Sequence, residues 1–168
     1  MKNIIIFILI SIPLFCDESR ILITGFTQHE LSTKDNGERY NDFNYGAGYE
    51  FTSFKRHDEL YFATNFTLLK DSFDNVQYTI SASPNIRFNL ARDIDISFGV
   101  ASFVMWKKDT FKRDVSEEDA KYDFLLGLAP LSSLYYRDFS VNFAYVPTLS
   151  HNSIDTIGFA IVYFGWKL

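Results

Sequence analysis

The segment that decides the fold is "IDISFGVASFVMW", residues 94–106, in which side chains alternate in character with a period of two. One face carries Ile94, Ile96, Phe98, Val100, Val104 and Trp106. The other face carries Asp95, Ser97, Gly99, Ala101, Phe103 and Met105. A period of two is that of a β-strand, in which successive side chains point to opposite faces.

The same alternation recurs along the chain and predicts eight strands of about ten to fifteen residues each. We place them at about 20–33, 40–53, 59–71, 76–90, 94–107, 121–136, 139–149 and 155–168. Aromatic residues make up 18% of the chain. They are dispersed rather than gathered into one long apolar run, which favours sheet over helix.

Three features favour a membrane barrel over a soluble β-sandwich, which would also alternate. The strands reach the roughly 9–11 residues that cross a bilayer when tilted, and the chain ends inside its last strand. The connections also alternate between long ones, such as 107–122, and short ones, such as 91–94 and 136–139. We therefore predict an all-β fold, an eight-stranded antiparallel up-and-down transmembrane β-barrel, with the long connections outside the cell.

The width of such a barrel limits its function. Eight strands leave an interior that side chains fill or that holds one small ligand, which excludes a porin. A structural or surface-binding barrel and an enzyme with a lipid-sized slot both remain open. A soluble lipocalin-like barrel is a further alternative, but the outward faces are too apolar for it.

Residues 1–16, "MKNIIIFILISIPLFC", resemble an export signal, and residues 17–168 are expected to form one outer-membrane barrel domain. Cys16 is the only cysteine, so no disulfide is expected. There are 16 Lys and Arg against 21 Asp and Glu, which argues against nucleic acid as a partner. The histidines lie on separate segments without ligand spacing, so no metal or other cofactor is expected.

One polar cluster could carry chemistry. In "LLKDSFDN", residues 68–75, an apolar run gives way to Asp71 and Ser72. Asp71 shares the inward face of its strand, and His29 has the opposite parity to outward Phe26, so both are expected to point inward near the outer rim. A His/Asp/Ser constellation is therefore one interpretation, and an ordinary polar turn is the other.

The chain also resembles a known family, the outer-membrane lipid A palmitoyltransferases or PagP family. Residues 25–51 are similar to the family's first hairpin, residues 60–75 to its third strand and the following Lys-Asp-Ser turn, and residues 129–168 to its last three strands. This resemblance implies acyl transfer from a phospholipid donor to a lipid A acceptor by a monomer in the outer membrane of a Gram-negative bacterium, with the active site facing the exterior.

The resemblance also implies roles for individual residues. His29 would be the general base and Asp71 would orient or charge-stabilise it. Ser72 would be either the nucleophile or a donor to the oxyanion. Ser83, eleven residues after Ser72, stands where the family has a glycine that measures the acyl chain, which implies a slot shorter than one for palmitate.

Two prolines match a lateral lipid gate of that family. Proline removes a hydrogen bond from the sheet, so Pro130 and Pro147 inside the sixth and seventh strands would weaken pairing toward the outer rim. The family has a second opening that is also flanked by prolines, but here Thr24 stands at the first of those positions. An alternative is that Pro147 simply ends its strand.

Two other outer-membrane barrels compete with this interpretation. A lipid A deacylase would use a His-x-Ser motif, which His151 and Ser153 supply, but Ile154 replaces the Asn that should follow. A non-catalytic barrel would leave lipid A unchanged.

Overall fold

The structure, a computed structural model, describes residues 17–29, 41–56, 59–108, 121–147, 149–151, 154–156 and 158–168. The predicted signal at 1–16 and most of the longest connection lie outside the described residues. The strands are β1 (Glu18–His29), β2 (Phe43–Arg56), β3 (Leu60–Lys70), β4 (Val76–Ala91), β5 (Ile94–Lys108), β6 (Tyr122–Tyr136), β7 (Phe139–Val146), β8 (Leu149–His151), β9 (Ile154–Thr156) and β10 (Phe159–Lys167).

Eight of these strands close into one antiparallel barrel in the order β1-β10-β7-β6-β5-β4-β3-β2. β1 closes the barrel because it pairs on both sides: Ile21 lies opposite Trp166 of β10 and Tyr49 of β2. β8 and β9 form a separate two-stranded hairpin between β7 and β10. The predicted eight-stranded up-and-down barrel is confirmed.

The last two barrel strands differ from the predicted segments. β7 ends at Val146, so Pro147 lies one residue past the strand. We had predicted that Pro147 lies inside the strand. β10 begins only at Phe159, because the β8–β9 hairpin occupies much of the chain between them. A proline has no amide hydrogen with which to extend a ladder, which explains why β7 stops there.

Apolar side chains cover the outside of the barrel. Leu126 is 73% exposed and Ile80 is 53% exposed, and both point away from the lumen. The lumen instead buries polar side chains such as Arg20, Ser97 and Asn142. This inside-out distribution suits a barrel surrounded by lipid. Within the ranges given above, no helix is long and apolar enough to cross a membrane.

A bulge at Gly25 reverses the alternation of β1. Thr24 pairs with Tyr163 of β10, but the next pair is Phe26 with Val162, so Gly25 is an extra residue. Below the bulge Leu22 and Thr24 are buried, whereas above it Thr27 is buried and His29 is half-buried. The shift of one residue exchanges the two faces of a strand, and here it turns His29 toward the lumen.

A polar plug fills the lumen at the end where β1 starts, which we call the lower end. The guanidinium of Arg20 lies between the carboxylates of Glu18 and Glu50. The Arg20 and Arg87 guanidiniums also lie over the Tyr135 ring, at 4.9 and 4.1 Å from its centre. These groups neutralise one another's charge and hydrogen-bonding capacity, so the lower half of the barrel is filled rather than open.

Glycines of β2 bring the neighbouring strand close. A Cβ added at Gly46 would lie 2.6 Å from the Leu69 Cα, and one added at Gly48 would lie 2.7 Å from a Thr67 methyl. The space above these glycines is thus taken by β3 itself.

We predict that Gly46→Ala destabilises the barrel by about 1–3 kcal/mol, because its Cβ meets backbone atoms that cannot rotate away. The measurement is the urea midpoint of unfolding in detergent micelles, followed by gel mobility. Ala47→Val is the matched control, since Ala47 is adjacent and points outward. Equal midpoints for the two variants would contradict the close approach of β2 and β3.

Candidate active site

The turn after β3 is built around the carboxylate of Asp71. Its Oδ1 accepts hydrogen bonds from the amides of Phe73 and Asn75, both at 2.9 Å. Asp74 takes a φ of 63°, a left-handed conformation that Asp tolerates better than most residues. This use of an Asp side chain on its own backbone is the usual way a short polar turn is fixed. Ser72 is therefore held in a defined place.

His29 and Ser72 meet at the upper end of the barrel. His29 Nε2 lies 2.6 Å from Ser72 Oγ, across the start of β2. Asn44, on β2 between them, donates from Nδ2 to Ser72 Oγ at 3.3 Å and also to the Thr27 hydroxyl. Because Ser72 Oγ accepts from Asn44, its own hydrogen is available to His29.

Asp71 faces a lysine rather than the histidine. Its Oδ2 lies 3.8 Å from Lys107 Nζ, and both side chains are buried. Among the described residues, no hydrogen bond joins Asp71 to His29. Asp71 therefore ties the turn that carries Ser72 and does not hold the imidazole directly.

Two connected spaces lie beneath these residues. The polar chamber, about 30 Å³, is lined by His29, Asn44, Asp71, Ser72 and Lys107 among others. It shares Leu69, Gln77, Phe159 and Ile161 with a larger space of about 100 Å³, the apolar cavity. The wall of the apolar cavity includes Ala101, Phe103, Met105, Ile161 and Tyr163. A reacting head group and an apolar chain would thus occupy adjoining spaces.

The predicted ruler residue lies just below the apolar cavity. Ser83 is 2% exposed and points inward, and the Asn85 amide donates to its hydroxyl at 2.9 Å. The lowest β4 residue in the cavity wall is Ser81, two positions above it. Ser83 is thus placed in the upper layer of the polar plug.

The two prolines flank an unpaired section of the barrel wall. β6 pairs with β5 over its whole length, but with β7 only from Leu131 to Tyr136. Pro130 is the first β6 residue above that paired section, and Pro147 follows β7 directly. In the part of the chain that the structure describes, residues 122–130 have no partner on the β7 side, which we call the β6–β7 gap.

The sequence analysis did not identify Asn44 and Lys107 as site residues, although the alternation places both on lumen faces. Asn44 has the parity of inward-facing Gly46 and Glu50, and Lys107 has that of Phe103 and Met105. Each is a polar residue on a lumen face at the upper end. Their significance depends on Ser72 being nearby, which alternation alone does not reveal.

Of the other two histidines, only His151 lies within the described residues. His57 is outside the described residues, as is Ser153 of the alternative His-x-Ser motif, and His151 belongs to β8. Among the residues that are described, no group of three or more His, Cys, Asp or Glu side chains could hold a metal ion.

The fold and the site together define a class: an outer-membrane-type barrel with a polar chamber above an apolar cavity. The model of one protein family, described as the antimicrobial peptide resistance and lipid A acylation protein PagP, matches residues 16–163. This match covers most of the chain, and the protein belongs to the PagP family. Family membership supports an outer-membrane location.

A solved structure shows the same kind of fold. The chain is similar to Neisserial surface protein A (NspA), with a TM-score of 0.55 and 13% identity, over 90% of this chain and 94% of that one. It also matches Ail, the attachment invasion locus protein of Yersinia pestis, with a TM-score of 0.46 and 12% identity, over 90% and 98% of the two chains. None of the curated proteins matches this chain in sequence.

Mutation can separate the roles of the two oxygens of the Asp71 carboxylate. We predict that Asp71→Asn keeps the Phe73 and Asn75 amides protected from hydrogen exchange, because its Oδ1 still accepts from them. Asp71→Ala should expose both amides to exchange. The measurement is amide exchange by NMR in detergent micelles. Equal exchange rates in the two variants would contradict the assignment of Asp71 Oδ1 to the turn.

Proposed function

We propose that this protein transfers a fatty acyl chain from a phospholipid to lipid A. The observation that carries the proposal is the contact of 2.6 Å between His29 Nε2 and Ser72 Oγ at the top of the apolar cavity. A base beside a hydroxyl suits acyl transfer, and an adjoining apolar space suits the chain being moved. Family membership supplies the substrate class.

The contact favours Ser72 as the hydroxyl that His29 deprotonates. Ser72 Oγ would attack the ester carbonyl of the phospholipid while its proton passes to His29. The lysophospholipid would leave with that proton, and the acyl chain would remain on Ser72 as an ester. A lipid A hydroxyl would then attack this ester, giving its proton to His29, and Ser72 would recover it.

Asp71 and Lys107 would shape the field around this reaction. The Asp71 charge favours the imidazolium that forms when His29 accepts a proton. Lys107 balances that charge in a buried site, where a lone carboxylate would be costly. Asp71 and His29 therefore lie near each other without a direct hydrogen bond.

The donor would enter through the β6–β7 gap, the lateral gate. Unpaired backbone is costly in lipid unless something covers or satisfies it, so the loss of β6–β7 pairing from Pro130 upward calls for an explanation. A gap that admits acyl chains sideways would explain this unpaired section, because the phospholipid tail would then not have to pass through the polar loops. Pro130 and Pro147 would keep the two strands from pairing further up.

The active site would face the cell exterior. At the lower end the connections β4–β5 and β6–β7 are two residues each, 92–93 and 137–138. At the upper end, where His29 and Ser72 lie, the connection between β5 and β6 spans 109–121. Outer-membrane barrels keep short turns on the periplasmic side. We expect the barrel to act as a monomer, since its sheet is closed.

The test is the mass of lipid A from Gram-negative cells that express the protein. We expect one added acyl mass for the wild type and none for His29→Ala or Ser72→Ala. Both variants should still fold, as shown by heat-dependent gel mobility. Trapped acyl-enzyme in the intact protein mass would identify Ser72 as the nucleophile, and its absence would favour an oxyanion-donor role.

The competing barrels give different products. A deacylase would release free fatty acid and leave lighter lipid A. A non-catalytic barrel would leave lipid A unchanged, and either result would overturn the proposal.

Ser83 would limit the length of the transferred chain. We predict that Ser83→Gly shifts the added mass to a longer acyl chain, because it removes a buried hydroxyl just beneath the apolar cavity. Ser97→Gly is the matched control, since Ser97 is equally buried but lies deeper in the plug, bonded to Tyr61. An unchanged acyl length in Ser83→Gly would sink the ruler idea.

A further inference from the structure

Asn44 lies at the centre of the site, yet the chemistry described so far does not use it. It is 4% exposed and lies on β2 between the two strands that carry His29 and Ser72. We propose that Asn44 is a catalytic residue that holds Ser72 Oγ and stabilises the negative charge that develops there. This inference rests on the proposed acyl transfer and extends it.

The position of Asn44 is set by the same irregularity that turns His29 inward. Between the pairs Thr24–Gly46 and Phe26–Phe43, two β2 residues, Asn44 and Tyr45, lie opposite Gly25 alone. The Thr24 hydroxyl donates to the Asn44 carbonyl at 2.8 Å, which fixes the backbone of the bulge. The side chain is then held in the lumen, and bulges commonly re-aim side chains next to active sites.

The two hydrogens of the Asn44 amide have separate partners. One goes to the Thr27 hydroxyl and the other to Ser72 Oγ. The first bond orients the amide, and the second occupies a lone pair of Ser72. The serine hydrogen is consequently directed to His29, and charge that builds on Oγ when the acyl ester to Ser72 breaks meets a donor already in place.

The amide oxygen gives an independent indication. Asn44 Oδ1 is buried and accepts no hydrogen bond within the described residues. Its side chain belongs to the wall of the polar chamber. Buried polar atoms normally have hydrogen-bond partners. An asparagine with a purely structural role is therefore expected to form hydrogen bonds through both its amide nitrogen and its amide oxygen. An N–H or O–H group of the bound substrate would supply the missing donor.

The experiment compares initial rates in detergent micelles for the wild type, Asn44→Ala and Asn44→Asp. Loss of one such donor lowers kcat by roughly 10²–10³-fold. We expect a loss of this size in Asn44→Ala with little change in KM for the donor phospholipid. Asn44→Asp should be at least as slow, because a carboxylate repels charge on Ser72 Oγ and draws the serine hydrogen away from His29.

Asn142→Ala is the matched control. Asn142 is a buried asparagine of β7 that bonds to Ser140 and to the Tyr163 carbonyl in the lower half of the barrel. It should keep kcat within a few-fold of the wild type. Heat-dependent gel mobility should report a folded barrel for every variant that is compared.

Three results are distinguishable. A wild type without acyl transfer overturns the proposed function itself. An active wild type with unchanged kcat in Asn44→Ala overturns the role of Asn44. If Asn44→Asp keeps more activity than Asn44→Ala, the Asn44 side chain serves only to hold the Thr27 hydroxyl, and the catalytic assignment is wrong.

Discussion

Closure of the sheet by β1 is the constraint on which the rest of the molecule depends. Backbone amides and carbonyls in lipid must be satisfied inside the protein, and β1 satisfies both edges at once by pairing with β10 and β2. Eight strands closed in this way leave a narrow lumen. Everything inside must then be arranged in layers along a single axis.

The three layers have different physical tasks. The polar plug fills the lower half with paired charges and buried hydroxyls, of which Arg20 and Glu50 are the most enclosed. The apolar cavity lies above it. The polar chamber at the top holds His29 and Ser72, the proposed reactive groups. Since each layer spans the whole lumen, a long apolar chain could extend only downward from the chamber.

Local irregularities place the reactive groups within this regular frame. The bulge at Gly25 exchanges the faces of β1, so His29 points inward and Asn44 lies beside it. The turn after β3 is tied by Asp71 to its own backbone, which brings Ser72 over the lumen. In the middle of the wall, pairing between β6 and β7 stops at Leu131, just below Pro130. The exceptions to ladder regularity thus lie where lipid chemistry would take place.

Alternation by itself determined the strands and their faces, because a period of two has only one structural meaning over a dozen residues. The closed barrel was predicted only when strand length and the lengths of the connections were added to it. Alternation also marked His29, Asp71 and Ser72 as lumen residues near one rim. It could not determine which of them touch. β1 and β3 are not neighbours, and the distance between His29 and Ser72 depends on the bulge and on the close approach of β2 and β3 at Gly46. The partners of Asp71, the position of Asn44 and the end of β7 before Pro147 were likewise decided only by the tertiary structure, because each depends on pairing between strands distant in sequence.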